Sequence, residues 1–140
     1  LIEIKTITAE QVLPIRHQVL WPHFPPEHSK VTGDEDALHV GAYKDQKLVC
    51  VASVFREGNS ARLRKFATLP SYQGVGIGSQ VIEHILTIVK QEGGETFWCD
   101  ARESAFGFYQ RFGMTTIGET FYKEDIPYKK MSVALSSRSD

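Results

Sequence analysis

Apolar and polar positions along the chain change period several times, and each change marks a predicted element. Ile2, Ile4 and Ile7 alternate with Glu3 and Lys5, which predicts a short opening strand. Thr8 then offers a helix N-cap, and Val12, Leu13, Ile15, Arg16, Val19 and Leu20 follow at near-helical spacing. Pro22, Pro25 and Pro26 end that helix, and the Pro- and charge-rich stretch to Asp36 reads as a loop that is mobile at its tip. Leu38–Tyr43 and Leu48–Phe55 read as strands around the polar turn Lys44–Lys47. The second is almost wholly apolar, which predicts a central strand covered on both faces. After the turn at Glu57, Gly58 and Asn59 comes a strand over Ser60–Leu69. Its alternation slips, because Phe66 follows Ala61 and Leu63 on the wrong beat, so one extra residue is expected near Arg64 or Lys65 as a β-bulge.

Gly74–Glu92 gives the clearest helical pattern. Ile77, Val81, Ile82, Ile85, Leu86, Ile88 and Val89 share one broad face, and Gly93 and Gly94 close it. Thr96–Ala101 reads as a strand and Ser104–Phe112 as a short helix ended by Gly113. The aromatics Phe106, Phe108 and Phe112 are expected in the core. Thr115–Tyr122 and Tyr128–Leu135 complete the pattern as strands, and Ser136–Asp140 is expected to fray. The order β, α, three antiparallel strands, α, β, α, β, β predicts an α/β domain with a mixed, mostly antiparallel sheet flanked by helices. It lacks the regular alternation of a doubly wound fold.

Bulk numbers narrow the function classes. The 140 residues fit a single domain over 1–140, large enough to fold without a disulfide or metal. With 16 basic and 17 acidic side chains, the net charge of -1 leaves no nucleic-acid footprint. No apolar run is long enough to span a membrane and no secretory leader is read, so the expected location is the cytoplasm. The chain opens at Leu1, and its initiating residue is expected to have been removed or to precede it. Cys50 and Cys99 lie in apolar strands and are expected as buried, reduced thiols. The five histidines show no metal-ligand spacing, so no metal is expected.

The chemistry concentrates in Leu69-Pro-Ser-Tyr-Gln-Gly-Val-Gly-Ile-Gly-Ser79, which leaves a strand and enters the strongest helix. Glycines at 74, 76 and 78 let the backbone turn tightly and approach a ligand. The amides that follow belong to a helix N-terminus, whose unpaired donors and dipole favour an anion. A diphosphate is the natural occupant. No Lys follows the last glycine, which disfavours a Walker loop, and glycines at first, third and fifth positions miss the dinucleotide spacing.

Gln73-Gly-Val-Gly76-Ile-Gly78 resembles the hallmark of the GNAT superfamily of N-acyltransferases: Gln or Arg, two residues, Gly, one residue, then Gly or Ala. The resemblance continues upstream through Phe66-Ala-Thr-Leu-Pro70 and downstream through Asp100 to Met114, with Tyr109 before Phe112-Gly113. It covers nearly the whole chain and implies a GNAT-type domain whose fourth and fifth strands splay apart. It further implies acetyl-CoA as acyl donor, with backbone groups of Phe66, Ala67 and Thr68 pairing with the pantetheine arm. Amides of Gln73, Gly74, Val75, Gly76, Ile77, Gly78 and Ser79 would hold the pyrophosphate, and Tyr109 would protonate the departing thiolate.

Asp100 is a candidate to orient or deprotonate the acceptor amine, against the alternative of capping the helix near Glu103. Relatives often carry a Glu on the strand that here reads Arg62-Leu-Arg64, and this chain has none. Arg16, Trp21 and His23 are weighed as an acceptor lining against surface or packing roles. The predicted activity is acetyl transfer to a primary amine, small molecule or peptide, by direct attack. The alternative is a non-catalytic acyl-CoA-binding module. A homodimer is compatible with either.

Overall fold

The computed structural model describes residues 1–135. The fraying expected of Ser136–Asp140 lies outside the described residues. Seven strands form one mixed sheet: β1 Ile2–Ile7, β2 Leu38–Lys44, β3 Lys47–Glu57, β4 Ser60–Thr68, β5 Thr96–Arg102, β6 Thr115–Lys123 and β7 Ile126–Ala134. Their spatial order is β1-β2-β3-β4-β5-β7-β6. The helices are α1 Ala9–Leu20, α2 Ile77–Gln91 and α3 Phe106–Gln110. The parallel ladder of β4 with β5 covers Ser60, Arg62 and Ala61 between them against Thr96–Trp98, and the described pairing is confined to those three pairs. That is the place where a splay was expected.

The chain clusters into two compact units. One comprises Leu1–Phe55 with Leu63–Ile88, and the other comprises Arg56–Arg62 with the chain from Val89. In the first, Thr8 caps α1 through a full capping box: its hydroxyl accepts from Gln11 N, and the Gln11 side chain accepts from Thr8 N. β3 is buried from Val49 to Val54, as its apolar run predicts. Lys65 has a φ of 56° inside β4, so the expected irregularity falls on a left-handed, non-glycine residue.

Two expectations need correction in this unit. The helix does not begin at Gly74: Gly74 and Gly76 have φ of 77° and 90°, left-handed values outside an α-helix, so α2 starts at Ile77. The stretch to Asp36 is not bare loop. It forms two 3₁₀ turns, Pro26–Ser29 and Asp34–Asp36, tied down by a buried Arg16. The Arg16 guanidinium is fully buried and makes a two-pronged pair with Asp34 at 2.8 and 2.9 Å. It also donates to the Ser29 carbonyl and the Ser53 hydroxyl.

His39 completes the network. Its Nε2 faces the Asp34 carbonyl at 2.8 Å, which only accepts, so Nε2 carries the proton. Nδ1 lies 2.7 Å from the Ser53 hydroxyl, within hydrogen-bonding distance. Arg16 is therefore a packing and anchoring residue, and His23 is exposed. Trp21 lies under the Lys65 ammonium, 4.6 Å from the ring centre.

The second unit is built on β5, whose Phe97, Cys99 and Ala101 are buried while Trp98 and Asp100 are half-buried on the other face. Met114, Met131 and Tyr109 pack into this core. The predicted helix over Ser104–Phe112 is a 3₁₀ turn at Glu103–Ala105 followed by the single-turn α3. Gly113, at φ 85°, ends it. Phe106, Phe108 and Phe112 are half-buried rather than fully in the core, because a five-residue helix has one buried stripe and Tyr109 occupies it.

Candidate active site

In the first unit the chain leaves β4, makes a 3₁₀ turn at Pro70–Tyr72, and enters α2 through the glycine loop. Gln73 Nε2 donates to the Thr68 carbonyl at 2.9 Å, which ties the start of the loop to the end of β4. A Cβ built on Gly74 or Gly76 meets nothing within 4 Å. These glycines are needed for backbone conformation, and the space beside them is open. The ladder of α2 begins with Gln80 N bonding to Gly76 O at 3.2 Å. Ile77 and Gly78 precede it, in the turn where helix amides point outward. Ile77 itself is buried and anchors this turn, while Val75 is 66% exposed at the loop's tip. An open, glycine-lined backbone cradle at a helix N-terminus fits a diphosphate.

In the second unit Tyr109 is 8% exposed. Its hydroxyl is paired with the Cys99 thiol through a hydrogen bond. Burial, and next the neighbouring Cys99, push the phenol's pKa well above its usual value. Burial likewise pushes the Cys99 thiol up to about 12, against the Tyr109 hydrogen bond, which lowers it. Cys50, in the first unit, is pushed up to about 11 by burial, and its sulfur accepts from Thr68 Oγ1. Both thiols are free and buried, as expected.

Asp100 does not cap the turn that follows β5. Arg102 stands at the cap position, and no side-chain cap bond forms there. Instead Asp100 Oδ2 accepts from Arg62 Nη2 at 2.9 Å. Cys99 and Asp100 are adjacent on β5, so their side chains leave opposite faces. The Tyr109 hydroxyl and the Asp100 carboxylate therefore stand on opposite faces of the strand.

The partners were missed from sequence. The period-2 pattern of β5 contains the signal for Cys99 facing inward, and Arg62 falls level with Trp98 only once the parallel register is known. Among the described residues no group of His, Cys, Asp and Glu is arranged to hold a metal, and no helix is long and apolar enough to cross a membrane.

Residues 4–135 match the family model of the acetyltransferase (GNAT) domain. Over 136 residues the chain is 35% identical to the uncharacterized N-acetyltransferase YitI of Bacillus subtilis (strain 168), spanning 91% of this chain and 89% of that protein. The ribosomal-protein-S18-alanine N-acetyltransferase from Escherichia coli has the same fold, with a TM-score of 0.84 at 18% identity, covering 100% of this chain and 97% of that one. An aminoglycoside 6'-N-acetyltransferase crystallised with coenzyme A gives a TM-score of 0.81 at 14% identity, with 99% of each chain covered. With the glycine loop, the mixed sheet and these matches together, the chain belongs to the GNAT family and is an acetyltransferase.

Proposed function

We propose that this chain transfers an acetyl group from acetyl-CoA to a primary amine by direct attack within a ternary complex. The observation that carries the reading is the open cradle at Gly74 and Gly76, set at the N-terminus of α2 and tied to the end of β4 through Gln73. Amides from Gly74 to Ser79 hold the cofactor pyrophosphate, while the Gln73 amide expected among them donates to the Pro70 carbonyl at 3.3 Å; backbone groups of Phe66, Ala67 and Thr68 pair with the pantetheine arm. The coenzyme A complex of the aminoglycoside enzyme supports a CoA-type cosubstrate for this fold. The family match over residues 4–135 supports reading the chain as one catalytic domain.

The amine attacks the thioester carbonyl carbon, the C–S bond breaks, and the thiolate takes a proton. Tyr109 supplies that proton in this reading, which requires its hydroxyl to turn away from Cys99. Asp100 orients the amine. The Asp100 carboxylate is held by Arg62 in this role, and the amine's proton leaves to water. No carboxylate on Arg62-Leu-Arg64 competes for that role.

A second reading, a non-catalytic acyl-CoA-binding module, is favoured by one observation: the buried Tyr109 hydroxyl is already engaged with Cys99. A screen of amines, polyamines, amino acids and peptides with acetyl-CoA, read by thiol release, separates the two. Turnover above hydrolysis with any amine supports the enzyme. CoA binding without turnover across the screen supports the module.

A further inference from the structure

One face of the second unit carries a surplus of positive charge around aromatic rings. Because Phe97, Cys99 and Ala101 point inward, the opposite face of β5 presents Trp98, Asp100 and Arg102. The register sets Arg62 beside Trp98 on one side and Lys130 beside Asp100 on the other. Tyr128 lies beside Arg102, and Phe121 stacks on Tyr128 at 5.7 Å. The Arg62 guanidinium and the Lys130 ammonium lie 4.6 and 4.4 Å from the centre of the same Trp98 ring. Lys123 stands 4.8 Å from the Tyr128 ring.

Asp100 is the sole carboxylate in these rows of β4, β5 and β7, and it is committed to Arg62. Arg102 and Lys130 are exposed cations on the same face: Arg102 has Tyr128 in register beside it, and Lys130 has Asp100, whose carboxylate is held by Arg62. The acids of the neighbouring hairpin, Glu119, Glu124 and Asp125, sit in the β6 irregularity and at the turn. Arg62 Nε is buried and makes no hydrogen bond. Two cations sharing one indole repel each other, and a single carboxylate neutralises only one of them. A bound oxyanion would supply the missing charge, with Trp98 and Tyr128 as flat surfaces for the body of the ligand.

We propose that the acceptor is an amine that also carries an oxyanion, a carboxylate or a phosphate, bound on Arg62, Lys130 and Arg102. This rests on the acetyltransferase reading and names the acceptor class, with Asp100 orienting the amine at the edge of the same cluster. A polycationic amine is the substrate this face repels.

Matched pairs test it: β-alanine against β-alaninamide, phosphoethanolamine against ethanolamine, and spermidine as the cation. Rates are read by thiol release from acetyl-CoA. The anionic member of at least one pair is expected to exceed its neutral counterpart by about tenfold in kcat/KM, with spermidine slowest. The carboxylate and phosphate pairs together tell which oxyanion is preferred. Lys130→Glu is expected to lower kcat/KM for the anionic amine by about tenfold or more and to raise it for spermidine. Unchanged melting temperature and acetyl-CoA affinity serve as the check that Lys130→Glu is folded and loaded. The proposal is overturned if no anionic amine turns over, if the neutral partners match them, or if Lys130→Glu leaves the preference as it was. If acetyl-CoA fails to bind the unaltered protein, the acetyltransferase reading itself fails. Acetyl-CoA binding with the wrong preference removes the acceptor class alone.

Discussion

The Tyr109 hydroxyl and the Cys99 thiol are hydrogen-bonded to each other within one compact unit, so the candidate acid rests on a sulfur of the protein itself. Burial and the neighbouring thiol both raise the phenol's pKa, which weakens it as an acid in this arrangement. In the proposed mechanism, proton donation requires the hydroxyl to exchange Cys99 for the departing thiolate.

Replacing Tyr109 by Phe keeps the ring and removes the proton. General-acid help is worth about 10²–10⁴-fold, so kcat is expected to fall by at least about tenfold with little change in acetyl-CoA affinity. Steady-state rates with a productive amine check this. Wild-type kcat in a chemistry-limited assay would remove Tyr109 from the mechanism.

Gly76 has a φ of 90°, and a side chain there both strains the backbone and enters the open cradle. Gly76→Asp is expected to cost about 1–2 kcal/mol of stability from the left-handed conformation. Its larger effect is on acetyl-CoA, which the added carboxylate repels from the helix N-terminus. Circular dichroism and calorimetry separate the two. A folded variant that binds acetyl-CoA normally would make the loop a mere turn.

Acid stability should follow Asp34. Burial alone would raise its pKa, but the hydrogen bonds from Arg16 and from the Val31 amide outweigh burial and hold it below 3.8. The unfolded chain then binds the proton more readily. Stability from this pair is complete above about pH 4 and is lost as pH falls through the lower folded value. Asp34→Asn removes one partner of a buried pair and is expected to cost about 3 kcal/mol near neutrality, a gap that narrows below pH 4. Denaturant melts at neutral and acid pH read both numbers. An equal gap at every pH would contradict the pairing.

Native thiols should resist alkylation. Cys50 and Cys99 are buried, with pKa values pushed up to about 11 and about 12, so almost no thiolate is present at pH 8. Iodoacetamide under native conditions is expected to modify neither, and both after denaturation, as mass spectrometry would show. Rapid native labelling of Cys99 would contradict its contact with Tyr109.

Much of the fold was legible in the sequence because its elements carry strong periods. The apolar run of β3, the amphipathic α2 and the capping pair Thr8 and Gln11 declare themselves locally. The glycine loop was legible as the entry to α2, and its boundary moved, since left-handed glycines cannot be told from helical ones by pattern. What stayed hidden depends on pairing between distant segments. Arg16 with Asp34 is 18 residues apart, and Arg62 with Asp100 is 38. No local period signals that a charged residue at a helix position will be buried, or that β4 sets Arg62 level with Trp98. The Tyr109–Cys99 contact is of the same kind, a meeting of α3 and β5 that only packing reveals.

The central claim is that the loop from Gln73 to Ser79 binds acetyl-CoA through its pyrophosphate, and titration calorimetry of acetyl-CoA into the full chain tests it most directly. The account predicts saturable binding at one site per chain, with acetyl-CoA at about 100 times its Kd adding roughly 2.7 kcal/mol to stability. It predicts that Gly76→Asp abolishes the heat. No binding at millimolar acetyl-CoA by the folded protein, or full binding by folded Gly76→Asp, would contradict it.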